Sequence, residues 1–298
     1  MRKGQKLPAG QSEQAYQQID ECIKSCFGLI FYPPAALEWV EGKATPQSAG
    51  EIAAVIDSAK LKYVLAEDTL IYTREVLDQC REVDSSIRVP DFPVIQNFSN
   101  NATLISALGI LTNQVSDYLE ENQREGRLPT EIPHFTAQQW VDETLKWKQK
   151  NPQTYQERVD GFKAALSGDI ARKNEYFKDP LTHRKGWLKR HLKLDRILRA
   201  FNPGINVDAV FTKIDVSKCP AVDLYFKVWE KKINSGNPPK DSDVGDYMYL
   251  PVVFYADVVL AERNLCNFVF QADKNLKSKV FYKASDVIKK LRREGFNW

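Results

Sequence analysis

The residue types best suited to chemistry cluster late in the chain, in Asp241-Ser-Asp243-Val-Gly-Asp246-Tyr-Met-Tyr-Leu-Pro-Val-Val-Phe-Tyr-Ala-Asp257-Val-Val-Leu-Ala-Glu262-Arg263. Asp243 and Asp246 are three positions apart, so on a helix they share a face. Two carboxylates held side by side repel unless a cation sits between them. Glu262 falls where the next predicted strand ends, at the carboxyl edge of a sheet, where open α/β sheets bind ligands. A helix-borne acid pair facing a strand-end acid supplies oxygen ligands, which Mg2+ and Mn2+ prefer. The same acids also have a structural use, because the helix macrodipole favours carboxylates near a helix start. Asp257 opens the strand and fits a structural role better than a ligand role.

A second chemical feature is charge. Residues 172–199 hold ten Lys and Arg against Glu175, Asp179 and Asp195, a net +7 in a chain whose total is +3. The remainder is therefore about −4, an asymmetry more informative than the total. Arg184, Lys185, Lys189 and Arg190 are the expected phosphate contacts, with Tyr176, Phe177 and Trp187 as stacking partners for bases. The competing reading is a solvated helix face.

These residues need elements to hold them. The pattern Cys26-Phe-Gly-Leu-Ile-Phe-Tyr32 predicts a buried strand stopped by Pro33-Pro34. A helix follows from Ala35, and another spans 48–59. Leu61–Ala66 predicts a second strand, and Asp68-Thr69 caps a helix to about Val83. Leu104, Leu108, Leu111, Val115, Tyr118 and Leu119 recur at helical steps between Asn101 and Glu125. Further helices are predicted over 136–148, 153–166 and 221–233. From Asp243 the chain alternates: helix, Pro251 break, strand 257–261, helix 262–270, strand 279–282, and a final helix capped by Ser285 and ended by Gly295. Such a βαβα run predicts a parallel α/β sheet.

Composition sets the outer bounds. The chain has 298 residues, 43% hydrophobic and 27% charged, which excludes collagen-like, disordered and disulfide-dense classes. Five scattered cysteines predict reduced thiols, and three histidines with no second CxxC-type pair leave little for a zinc site. Residues 1–20 lack an apolar core of the signal-peptide kind, and Phe92–Ser116, although uncharged, is broken by Pro93 and by Asn97, Asn100 and Asn101. The expectation is a cytoplasmic protein with no membrane segment. P-loop, GxSxG, HExxH and GxGxxG motifs are absent.

The run SDVGDYMYLPVVFYADVVLAER resembles the C-terminal half of PIN-like metal-dependent nucleases: an acid-bearing helix, a Leu-Pro break, then a strand ending in an acid. The earlier GLIFYPPAALEW resembles the strand–Pro–helix segment that carries the family's second acid. The resemblance covers residues 27–40 and about 240–290. It implies a single α/β PIN-like domain over 1–298, a parallel sheet flanked by helices, with a large helical insertion at about 100–235. It also implies a metal and catalytic cluster of Glu38, Asp243, Asp246 and Glu262 holding Mg2+ or Mn2+. The family's first acid, at the end of an opening strand, has no counterpart in residues 1–20, and Asp68 is the available substitute. The implied function is a ribonuclease acting on single-stranded RNA, of the toxin or defence-effector kind. The missing acid motivates the alternative of a catalytically silent PIN-like scaffold that binds RNA, a protein partner or a second copy of itself.

Overall fold

The computed structural model describes residues 29–31, 61–66, 68–90, 94–97 and 154–295. The predicted helices from Ala35, over 48–59, between 101 and 125 and over 136–148, and with them Glu38, lie outside the described residues.

Leu29–Phe31 forms β1 and Leu61–Leu65 forms β2, paired in parallel with Phe31 opposite Val64. Asp68–Val83 then forms α1, beginning at the Asp-Thr pair expected to start it. Ile95–Asn97 forms β3, antiparallel to β2, and the Ala66 N–H donates to the Val94 carbonyl at 2.8 Å to extend the ladder. No period announces β3 in the sequence: three residues are too few to show an alternation.

Helices dominate from Thr154 onward: α2 (Thr154–Ala171), α3 (Lys173–Tyr176), α4 (Pro180–His191), α5 (Leu194–Phe201) and α6 (Val207–Lys213). Local chemistry sets their ends. The Asp179 carboxylate accepts the Thr182 N–H, with Pro180 opening α4, and Asn206 caps α6 through Ala209 N–H. A 3-10 turn at Val216–Lys218 leads into α7 (Pro220–Ser235), which stops at Gly236 in the left-handed conformation, φ 69°.

The C-terminal run comprises α8 (Asp241–Tyr249), α9 (Val252–Tyr255), β4 (Val259–Leu260), α10 (Arg263–Ala272), β5 (Val280–Phe281) and α11 (Ala284–Arg293). β4 and β5 pair in parallel, with Val259 opposite Val280. The parallel alternation expected from sequence is therefore present, in shorter strands. Among the described residues the strands form two sheets, β1-β2-β3 and β4-β5, rather than one. The described residues are α/β and mostly helical.

The core is organised on α7, which packs against α1, α2 and α10. It buries Val222, Leu224, Tyr225, Phe226, Val228, Trp229 and Ile233. One apolar cluster joins Leu65 of β2, Leu77 of α1, Leu166 of α2, Cys266 of α10 and Val280 of β5. Burying each Leu- or Ile-sized side chain contributes roughly 1.5–3 kcal/mol, so the apolar residues of α7 are a large part of what holds these helices together. Among the described residues, no helix is long and apolar enough to cross a membrane.

Candidate functional site

Asp243 lies in the first turn of α8 and is 3% exposed. Its Oδ1 and Oδ2 receive hydrogen bonds from Lys232 Nζ at 2.8 and 2.9 Å, and Oδ2 also accepts the Lys240 backbone N–H at 2.9 Å. Lys232 comes from the last turn of α7 and is itself buried, with its ammonium 4.5 Å from the centre of the Phe268 ring of α10. The positive charge beside this carboxylate is the ammonium of Lys232. The pair pins α8 to the end of α7, while the Lys240 contact caps α8.

Asp246 is half-buried, one turn further along α8, as the three-residue spacing predicts. Glu262 is exposed and immediately precedes α10, just past the carboxyl end of β4, in the position expected from the sequence. Asp257 is exposed before β4, and Asp68 is half-buried at the start of α1. Among the described residues no three His, Cys, Asp or Glu side chains gather closely enough to hold a metal ion. Asp243 is already engaged by Lys232 through both of its carboxylate oxygens.

Three of the four cations expected to contact phosphate have partners within the molecule. The Arg184 side chain is 16% exposed and reaches two carboxylates of α7, Glu230 at 2.8 Å and Asp223 at 3.2 Å. Lys185 donates to the Thr212 carbonyl at 2.9 Å, and Lys189 pairs with Asp208 of α6 and, at 4.0 Å, with Asp195 of α5. Arg190 alone of the four is exposed. The aromatic side chains beside them are equally committed. Tyr176 is 3% exposed, and Trp187 packs between His191, ring centres 4.7 Å apart, and Tyr225 at 4.9 Å. These rings join a core cluster through Tyr225, Trp229, Phe162 and Tyr247. Charge counting could not show this, because the partners Asp223 and Glu230 lie on a helix some forty residues away. Their seven-residue spacing on α7 was the available signal.

Three groups not singled out from sequence stand apart electrostatically. Glu75 of α1 reaches the start of α7 and accepts the Ala221 N–H at 3.0 Å and the Val222 N–H at 3.1 Å. Burial pushes its carboxyl up to about 7, against the pull of those two N–H groups. Burial also pushes the Cys80 thiol up to about 12 and raises the Cys219 thiol next to it in the same apolar layer.

No protein-family model, curated protein or solved structure matches this chain.

Proposed function

We propose that this chain is a PIN-like scaffold that binds single-stranded RNA without hydrolysing it. The observation that carries the reading is the Lys232–Asp243 pair: Asp243, the most buried of the described acids in the implied cluster, already has its counter-charge. The scaffold assignment is supported by element order. An acid-bearing helix, a break at Leu250-Pro251, a strand followed at once by Glu262, a helix and a parallel strand occur in the order the resemblance implies. The binding assignment is supported by charge. Residues 154–295 contain 27 Lys and Arg against 18 Asp and Glu, a surplus of nine, whereas the remaining residues contain 15 against 21. A polyanion gains affinity from such a surplus by releasing counterions.

A second reading, a divalent-cation-dependent ribonuclease of the toxin or defence-effector kind, is favoured by one observation. Glu262 stands at the carboxyl edge of β4, with Asp246 on the helix before it. Glu38 would have to join them. A single assay separates the two. The full chain is mixed with a labelled single-stranded RNA, with and without Mg2+ or Mn2+, and both retention and strand integrity are measured. Salt-sensitive retention of intact RNA supports the scaffold. Cation-dependent cleavage that Asp246→Asn abolishes establishes the nuclease instead. Absence of salt-sensitive retention removes the binding reading.

A further inference from the structure

The segment 172–199 is conspicuous by its charge, yet the C-terminal stretch 274–293 is denser, with eight Lys and Arg against the single acid Asp286. Its cations are also used differently. Lys290 pairs with Glu294, and Lys289 comes within 3.8 Å of Asp286. Among the described residues no carboxylate is within ion-pair distance of Lys274, Lys277, Lys279, Lys283 or Arg293, nor of the neighbouring Arg263.

Two of these cations are held together at a defined place. β4 and β5 run parallel, so their carboxyl ends lie side by side, and α10 and α11 both leave from there. Arg263, the first residue of α10, and Lys283, just after β5, both rest against the Tyr282 ring, at 5.7 and 5.5 Å from its centre. Aromatic contact of this kind orders a long cationic side chain without neutralising it. Lys277 is likewise held over Phe270 at 5.8 Å. The face continues along α11, whose buried residues Ala284, Val287, Ile288 and Leu291 turn its lysines and arginines outward.

We propose that this edge, centred on Arg263, Tyr282 and Lys283, is where the chain binds the phosphodiester backbone of a single-stranded nucleic acid. This rests on the RNA-binding reading above and gives it a location. Arg263 and Lys283, ordered against one ring and facing no carboxylate among the described residues, offer a pair of charges to successive phosphates, and an arginine can grip one phosphate through two donors. A lipid surface fits less well. The exposed large apolar side chains among the described residues are Ile95, Leu181 and Leu260, and of these only Leu260 belongs to this region. An interfacial helix needs an apolar face to insert.

The test uses the full chain and fluorescent single-stranded RNA and DNA of one length, with anisotropy followed over a salt series. The double variant Arg263→Ala/Lys283→Ala should lose affinity about tenfold at low salt and flatten the log–log salt slope by about 1.4, the value for two single-strand phosphates. Arg190→Ala, on the exposed side of α4, should change neither. Tyr282→Phe should bind as the parent does, and Tyr282→Ala should follow the double variant. Equal binding of RNA and DNA, or a preference for either, supports the proposal. Preference for vesicles of anionic phospholipid over both oligonucleotides overturns it. So does a double variant with parental affinity and slope, which would leave RNA binding intact and move it elsewhere. No binding by the parent chain removes the functional reading itself.

Discussion

Lys232 and Asp243, eleven residues apart, meet as a buried pair in which one ammonium bridges both carboxylate oxygens, at 2.8 and 2.9 Å. Breaking such a pair from one side leaves a buried charge uncompensated, which typically costs about 3–5 kcal/mol, whereas replacing both partners with apolar groups is often neutral. Lys232→Met should therefore lower the chemical-denaturation midpoint sharply, and Lys232→Met/Asp243→Leu should recover most of the loss. The pattern distinguishes a structural carboxylate from a metal ligand, for which Lys232→Met would instead strengthen cation binding.

Arg184 is the second place where charge serves folding. It ties α4 to two acids of α7, at 2.8 and 3.2 Å, from a position with little solvent. Arg184→Ala should destabilise the chain by about 2 kcal/mol, since charged hydrogen bonds in partly buried settings are worth more than exposed pairs. The salt dependence of RNA binding should stay as in the parent. A reduced slope at unchanged stability would return α4 to the binding surface.

How far the sequence spoke depended on the kind of signal. Hydrophobic period and punctuation placed the C-terminal strands and helices to within about two residues, and the last helix ends before Gly295, whose φ is 88°. Asp68 starts α1 and the Leu61–Ala66 strand is β2, for the same reason. Non-local pairing was invisible. The side chains chosen by charge, Arg184, Lys189 and Asp243, found partners on other helices, and only the assembled fold decides whether a charge faces solvent or a counter-charge. Arg263 and Lys283 escaped notice because the sequence singles out runs of Lys and Arg between 172 and 199, and neither residue lies there. What marks them is a shared ring, Tyr282, at the end of two strands.

The described cysteines should be inert in the folded chain. Cys80, Cys219 and Cys266 are buried, and burial pushes Cys80 up to about 12 and Cys266 up to about 11, from an ordinary 9.0. Only the thiolate reacts, so alkylation at about pH 8 should be slower than in the unfolded chain by on the order of a hundredfold or more. Mass spectrometry of peptides after timed labelling reads each thiol separately. Rapid modification of Cys80 under native conditions would show that α1 opens readily from α7.

Glu75 gives the chain a pH dependence with a definite sign. Its carboxyl faces the Ala221 and Val222 N–H groups of α7, which favour the charged form. Burial and the nearby Asp223 and Asp78 carboxylates oppose ionisation, and the result is about 7 against an ordinary 4.5. Between those values the folded chain keeps a proton that the unfolded chain has released. The stabilisation is therefore complete below about 4.5 and is lost as pH rises through about 7, by an amount on the order of 3 kcal/mol. His191 acts in the opposite direction within the same window, because partial desolvation of the imidazole stacked on Trp187, with the Arg190 charge beside it, lowers its pKa, so acidification destabilises through it. The informative quantity is accordingly the difference between the parent chain and Glu75→Gln, in which the amide cannot titrate. Urea denaturation at about pH 5 and about pH 7.5 should show the variant's stability, relative to the parent, improving as pH rises. A constant difference between the two pH values would mean that Glu75 ionises normally, held as a carboxylate by the N–H groups it caps.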